Sequence, residues 1–381
     1  MREVSIIGVG IHKFGRFGDK SFVAMGQEAA KMALQDANVD WPKIQAAYMS
    51  RVYLPSIAGP RILKPMGATG IPICDIEAAC ASGGVALRQG ILGIQSGQFD
   101  MVLVVGAEKM PRGFMDPAML YEKWQIEMGM DTNPSYWAIR ARRHMHEYGI
   151  TEMQIAKVAY KNHKNSVHNP YSMYQKAFSI EEILNSPLVC DPIHLLEICA
   201  PNEGAAAVVL CSKEIAKQYS SHPITIAGCI HTLATYSSDF RLPIDSMSAK
   251  MSNPGPTEIT SQKAYKQAGL GPEDVDCFEV QDTDAFCEIE IYEQLGLCKT
   301  GEGGRLIDEG VTEITGEKPV NMSGGLISKG EPIGASHLGQ IVELVWQLEG
   351  KAGNRQVSNA KVGLGHVLGG GGNCAVTILK K

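Results

Sequence analysis

Three runs of the chain are apolar and β-branched without the spacing of a helix: "EVSIIGVG" at Glu3 to Gly10, "FDMVLVVGAE" at Phe99 to Glu108 and "GAAAVVLCS" at Gly204 to Ser212. Continuous apolar runs of this length predict strands buried on both faces, and the amphipathic stretches between them predict helices. A second series starts near "HPITIAGCIHTLAT" (His222 to Thr235) and continues with "VDCFEVQD" (Val275 to Asp282). It closes with "KVGLGHVLGGGGNCAVTILKK", which reads as two strands around a glycine-rich turn. Strands alternating with helices define an α/β class.

The two series echo each other. "GQEAAKMALQDANVDWPKIQAAYM" and "SQKAYKQAGLGPEDVDCFEVQD" share one order of parts: an alanine-rich helix, a short turn with proline, then a strand. Each is followed at a similar interval by a small-residue turn with paired glycines, "CASGGVAL" (Cys80 to Leu87) and "NMSGGLIS" (Asn321 to Ser328). This predicts an internal duplication with halves at 1–222 and 223–381, both turns lying near a pseudo-two-fold axis. Between Met110 and about Ser186 the pattern shifts to charged helical stretches such as "YWAIRARRHMHEYGIT", broken by polar segments like "HKNSVHNPYS". We read residues 111–186 as a lid inserted into the first half, with plain packing as the alternative.

Composition narrows the partners. A chain of 381 residues that is 44% apolar buries a sizeable core. With 20% charged residues and a net charge of −6, it offers no basic field for nucleic acid or anionic membranes, so a small soluble substrate is expected. "MREVSIIGVG" is too soon broken by glycine for a signal peptide, and no run is long enough to span a bilayer; a cytoplasmic protein is expected. The ten cysteines (74, 80, 190, 199, 211, 229, 277, 287, 298 and 374) form no CxxC pair and no spacing with histidine that suits zinc. No metal site is expected in this chain.

One cysteine stands apart. In "EAACASGGVALRQG", Cys80 sits where a helix begins, so unpaired backbone N–H groups and the positive helix end would stabilise a thiolate. Packing as a small core residue is the alternative.

Cys80 with its "CASGG" turn, "GAEKM" (Gly106 to Met110), "NEGAAAVVL" (Asn202 to Leu210), "NMSGGLISKGEPIGAS" (Asn321 to Ser336) and "GHVLGGGG" (Gly365 to Gly372) together resemble the thiolase superfamily over essentially the whole chain. The resemblance is to the sterol-carrier-protein type and its bacterial and archaeal relatives, several of which work with a small zinc-ribbon, OB-fold protein. It implies two similar βαβαβαββ halves in five layers, a homodimer, coenzyme A as co-substrate, and Cys80 as the residue acylated by a CoA ester. Backbone N–H groups of Cys80 and of Leu368, Gly369 and Gly370 would then hold an oxyanion.

The chain departs from that pattern twice. Where the sterol-carrier type has His-Asp-Cys-Phe, this chain has "QDTD", Gln281 to Asp284. Gln281 would donate to an oxyanion or hold a water, whereas Thr283 cannot move protons near neutral pH. In "KGEPIGAS", Glu331 replaces the usual histidine, and a buried Glu with a raised pKa would accept the thiol proton. His366 is expected in proton transfer, with Asn321 and His337 in support. The reading is thiolytic cleavage of a 3-oxoacyl-CoA, with a branched aromatic substrate such as 2-benzoylsuccinyl-CoA the most specific form. A retro-aldolase acting on a 3-hydroxyacyl-CoA and a non-catalytic scaffold subunit are the alternatives.

Overall fold

A computed structural model describes residues 2–119, 121–130, 132–235 and 254–381. Eleven strands are present among these: β1 (Val4–Gly15), β2 (Ala46–Ser50), β3 (Ile73–Ile76), β4 (Met101–Lys109), β5 (Leu188–Cys190), β6 (Ile193–His194), β7 (Glu203–Ser212), β8 (Ile224–Thr232), β9 (Cys277–Glu279), β10 (Val362–Gly369) and β11 (Asn373–Lys380). The short β5 and β6 form a hairpin of their own. The other nine make one mixed sheet in the order β3-β2-β4-β7-β1-β8-β11-β10-β9.

That order reads the same from either edge. In the first half β1 and β4 are both antiparallel to β7, and β2 runs parallel to β4 and β3. In the second half β8 and β10 are both antiparallel to β11, β9 runs parallel to β10, and a single parallel bridge from Phe278 to Val320 stands where β3 would be. The halves meet where β1 pairs antiparallel with β8 through Ser5–Thr225 and Ile6–Ile224. The duplicated fold expected from the sequence is thus present as a mirrored topology.

Two long helices lie between the halves. Ser82–Gln95 packs on β2, β4 and β7 and also on β8 and β11, while Ile333–Glu349 packs on β4 and β7 and also on β9 and β10. Both helices bury small and aliphatic residues on nearly every turn, as elements sandwiched between layers must. Outer helices Phe22–Asp36 and Pro256–Ala268 cover the opposite faces, completing five layers. Each outer helix is an alanine-rich segment of the repeat. Its strand register follows because Gly8 and Gly10 leave room for the helix backbone, where a Cβ would fall onto Ala33 and Ala29.

Two expectations change. "NMSGG" does not open a long helix as "CASGG" does: Gly324 and Gly325, at φ +102° and +61°, start one wide turn over Gly325–Lys329, and the long helix begins only at Ile333. The insertion also packs mainly on the second half. Its helices Asn133–Tyr148 and Glu152–Ser166 rest on Ala285–Gln294 and Gly303–Asp308, tied by the buried Arg140–Glu290 and Lys161–Glu288 ion pairs. No helix among the described residues is long and apolar enough to cross a membrane.

Candidate active site

The turn that carries Cys80 is built by its neighbours. Ala79 is forced to φ +49°, a costly conformation for a residue with a Cβ. Ser82 holds it there: its hydroxyl donates to the Ala79 carbonyl at 2.6 Å and accepts the Ala78 N–H at 2.8 Å. Gly83 and Gly84 let this end of the helix approach His337 and Ala375 closely. Gly369 is needed for the same reason, since a Cβ there would lie 2.8 Å from the Cys80 nitrogen and 2.9 Å from that of Ala81.

This close approach brings the N–H of Gly370 to the Cys80 sulfur, which also receives its own residue's N–H. Two backbone donors converging on the sulfur are suitably placed for the oxygen of a thioester formed on it. Of the expected trio, Gly370 is the donor and Gly369 supplies the room. Leu368 instead packs in the core of the second half.

Glu331 completes the centre from the other half. Its backbone N–H donates to Ala200 at 2.9 Å, and Pro201 pairs with it in a parallel bridge. The carboxyl accepts from Gln281 Nε2 at 2.6 Å and from the thiols of Cys80 and Cys199. Burial raises its pKa above the ordinary carboxylate range, and those three hydrogen bonds pull it part of the way back. The Cys80 thiol is pushed well up, first by burial and then by Glu331, with the two N–H groups opposing. The resting pair is therefore a thiol beside a carboxyl, and burial outweighs the helix-end stabilisation of a thiolate expected from the sequence.

The remaining expected residues fall around this centre. Gln281 spends its amide on Glu331 and, at 3.4 Å, on Thr283, so it orients the carboxyl and does not face an oxyanion. His366 lies behind Gln281, whose N–H points at its Nδ1 at 3.5 Å, while its Nε2 meets the Thr257 hydroxyl at 2.9 Å. Burial, then His337, lowers its pKa to about 3. It is a neutral residue of the wall, outside the cleft. His337 is equally enclosed, bonded to Gln340 at 2.8 Å and Thr377 at 3.3 Å, with its pKa lowered to about 4 by burial. It does not reach the cavity.

Asn321, at φ +55°, accepts the Val280 N–H at 2.8 Å and donates to Glu288 at 2.7 Å, joining a buried network with Asn162, Lys161 and Asp282. That network shapes the turn beneath the site. Sequence reasoning missed Cys199, which shares the cleft with Cys80 and Glu331. Its signal was its place three residues before "NEGAAA", but only the fold joins that segment to residues 283 and 331, through the Ile198–Asp284 and Pro201–Glu331 bridges.

The cleft above these groups is lined by Met110, Phe114, Met115, Trp137, Ile198 and Ile333, with Thr283 and Asp284 at one side. Asp284 caps the helix Ala285–Gln294 by accepting the Cys287 N–H at 2.9 Å, and burial raises its pKa to about 7. The insertion thus contributes apolar walls to the cavity.

A nucleophile turn on one central helix, a proton acceptor ahead of the other and a mirrored five-layer fold define an acyl-transferring enzyme. The chain belongs to the thiolase superfamily: the thiolase N-terminal domain matches residues 4–214, and the thiolase C-terminal domain-like family matches 245–381. It is 38% identical to an acetyl-CoA acetyltransferase of Methanothermobacter thermautotrophicus, over the full length of both chains. It is 36% identical to sterol carrier protein 2 of Oryctolagus cuniculus, covering 99% of this chain and 72% of that protein. With the benzoylsuccinyl-CoA thiolase subunit BbsB of Thauera aromatica it shares 34% identity, covering 97% and 95%. Among solved structures, the Ltp2-ChsH2(DUF35) aldolase has the same fold, with a TM-score of 0.86 at 24% identity over 99% of this chain and 97% of that one.

Proposed function

We propose that the protein cleaves a 3-oxoacyl-CoA with coenzyme A through an acyl group held on Cys80, and that the acyl group is uncharged and bears a ring. The observation that carries this is the Cys80 sulfur, placed between two backbone donors and the Glu331 carboxyl at the foot of an apolar cleft. Glu331 takes the thiol proton as the sulfur attacks the 3-oxo carbon. The N–H groups of Cys80 and Gly370 hold the resulting oxyanion, and the bond between C2 and C3 breaks to release the shorter acyl-CoA as an enolate that is then protonated. Coenzyme A attacks the acyl-Cys80 thioester by the same route and restores the thiol.

The aromatic and thioether walls favour a ring over a short alkyl group. BbsB's name supplies an aromatic precedent. The carboxyl groups of Asp284 and Glu331 in the cleft argue against the free carboxylate that a benzoylsuccinyl group would add. The protein is expected to form a homodimer, because β3 has a neighbour on one side only and leaves an open sheet edge. The DUF35 component in the aldolase's title, and exposed Phe114, Met119, Trp124 and Met128 near the cleft mouth, favour an additional zinc-ribbon, OB-fold subunit.

Acetoacetyl-CoA, 3-oxo-3-phenylpropanoyl-CoA and 2-benzoylsuccinyl-CoA test the reading when each is incubated with the purified protein and coenzyme A, alone and co-expressed with its genomic neighbour. Mass spectrometry should find an acyl adduct on Cys80, with the phenyl ketone cleaved fastest and Cys80→Ala inert. A retro-aldol reaction, favoured by the fold shared with the aldolase, predicts cleavage of a 3-hydroxyacyl-CoA with no adduct on any cysteine. That outcome would replace the thiolase reading.

A further inference from the structure

Thiolytic cleavage needs a proton for C2 of the departing acyl-CoA, and the groups expected to give it are not in the cleft. His366 is sealed behind Gln281 with both ring nitrogens facing protein groups, His337 is bonded to Gln340 and Thr377, and Thr283 is not acidic enough. Two thiols do face the cavity. Cys80 is one; Cys199, from the loop before β7, is the other.

Cys199 is held firmly. Its N–H donates to the Thr283 carbonyl at 2.9 Å, the next residue's N–H donates to Leu326 at 3.1 Å, and Ile198 pairs with Asp284 in an antiparallel bridge. Its sulfur lies within hydrogen-bonding reach of the Glu331 carboxyl, which on its other side meets Cys80. One carboxyl therefore stands between a nucleophile and a second S–H group open to the same substrate.

Resting on the thiolase reading above, we infer that Cys199 is a catalytic residue, the acid that protonates C2, and that Glu331 connects it to Cys80. Glu331 accepts the Cys80 proton as the S–C3 bond forms and the carbonyl pair moves onto oxygen. When that pair returns, the C2–C3 bond breaks and its electrons stay on C2, which takes the proton of Cys199. The Cys199 thiolate recovers a proton from the Glu331 carboxylic acid. Both groups end as they began, and the net change is one proton carried from Cys80 to C2. Burial keeps Cys199 in its thiol form between turnovers, as a proton donor requires.

Separating acylation from cleavage tests this in the intact protein. Acetyl-CoA acylates Cys80 without breaking a carbon–carbon bond, whereas the 3-oxoacyl-CoA esters named above require protonation at C2. Cys199→Ser keeps the size of the side chain and loses its acidity, and Cys199→Ala removes the donor. In both, Cys80 acetylation should stay within about threefold of wild type, while C2–C3 cleavage falls roughly 10²–10⁴-fold. Entry of solvent deuterium into the acetyl-CoA methyl group should be lost in parallel. Cleavage within about threefold of wild type in either variant would overturn the assignment. So would equal loss of acetylation and cleavage, which would mean that Cys199 only positions Glu331. Wild type without an adduct on Cys80 would instead mark failure of the thiolase reading itself.

Discussion

Glu331 occupies a position where its charge is disfavoured by burial and restored only by what it hydrogen-bonds. Its raised pKa sets the sign of the pH response: lowering pH through that value protonates the base, so kcat/KM should fall on an acid limb lying above the ordinary carboxylate range. Glu331→Gln should erase the limb and reduce the rate roughly 10²–10⁴-fold, as steady-state pH profiles would show. His366→Asn should leave the midpoint of the limb unmoved, because that imidazole stays neutral down to about pH 3. His337 makes a stability prediction. Its folded pKa of about 4 lies below the ordinary 6.5, so its full contribution is present above pH 6.5 and is lost as pH falls towards 4. The stability gap between wild type and His337→Gln in urea melts should therefore shift against wild type by about 3 kcal/mol across that window. Cys80, Glu331 and the glycine turn were legible in the sequence because their spacing is local. The duties of Gln281, His337 and Asn321 were not, since each is decided by a partner distant in sequence, such as Glu331, Thr377 or Val280.

Strands and turns show the same division. β1, β4 and β7 announced themselves as apolar runs, and the two alanine-rich helices did so by repetition. β3 escaped because four half-buried residues, with Cys74 and Asp75 among them, carry no such run; parallel pairing with β2 makes them a strand. The wide turn at Gly325–Lys329 was also hidden, because its shape is imposed by Asp282, whose carboxylate accepts the N–H groups of Leu326 at 2.6 Å and Ile327 at 3.1 Å. Gly325→Ala should test that dependence. The new methyl would fall onto the Asp282 carboxylate at a positive φ, and should cost about 2–5 kcal/mol in denaturant unfolding. An unchanged midpoint would show that the turn is set elsewhere.

The insertion matters to the molecule as a whole because it roofs a cleft whose nucleophile and base come from different halves. Arg140 anchors it to the second half through Glu290, both buried and also facing Tyr136. Removing one partner of such a pair strands the other charge, so Arg140→Met should lower stability by about 3–5 kcal/mol. It should also raise KM more than it lowers kcat, because Trp137 and Pro134 of the same helix line the cleft. Equal KM values in the variant and wild type would detach the insertion from substrate binding.

The mirrored strand order has a historical reading as well. A sheet that spells the same sequence of strands from both edges is the imprint of one ancestral gene segment copied end to end, with the copies still joined back to back at β1 and β8. Once doubled, neither copy had to keep every task. The first specialised its glycine turn into the bed of a sulfur; the second let the corresponding turn become a structural knot and placed a carboxylate a few residues later. Division of labour between the descendants, rather than addition of new parts, is what turned a repeated scaffold into a single chemical centre.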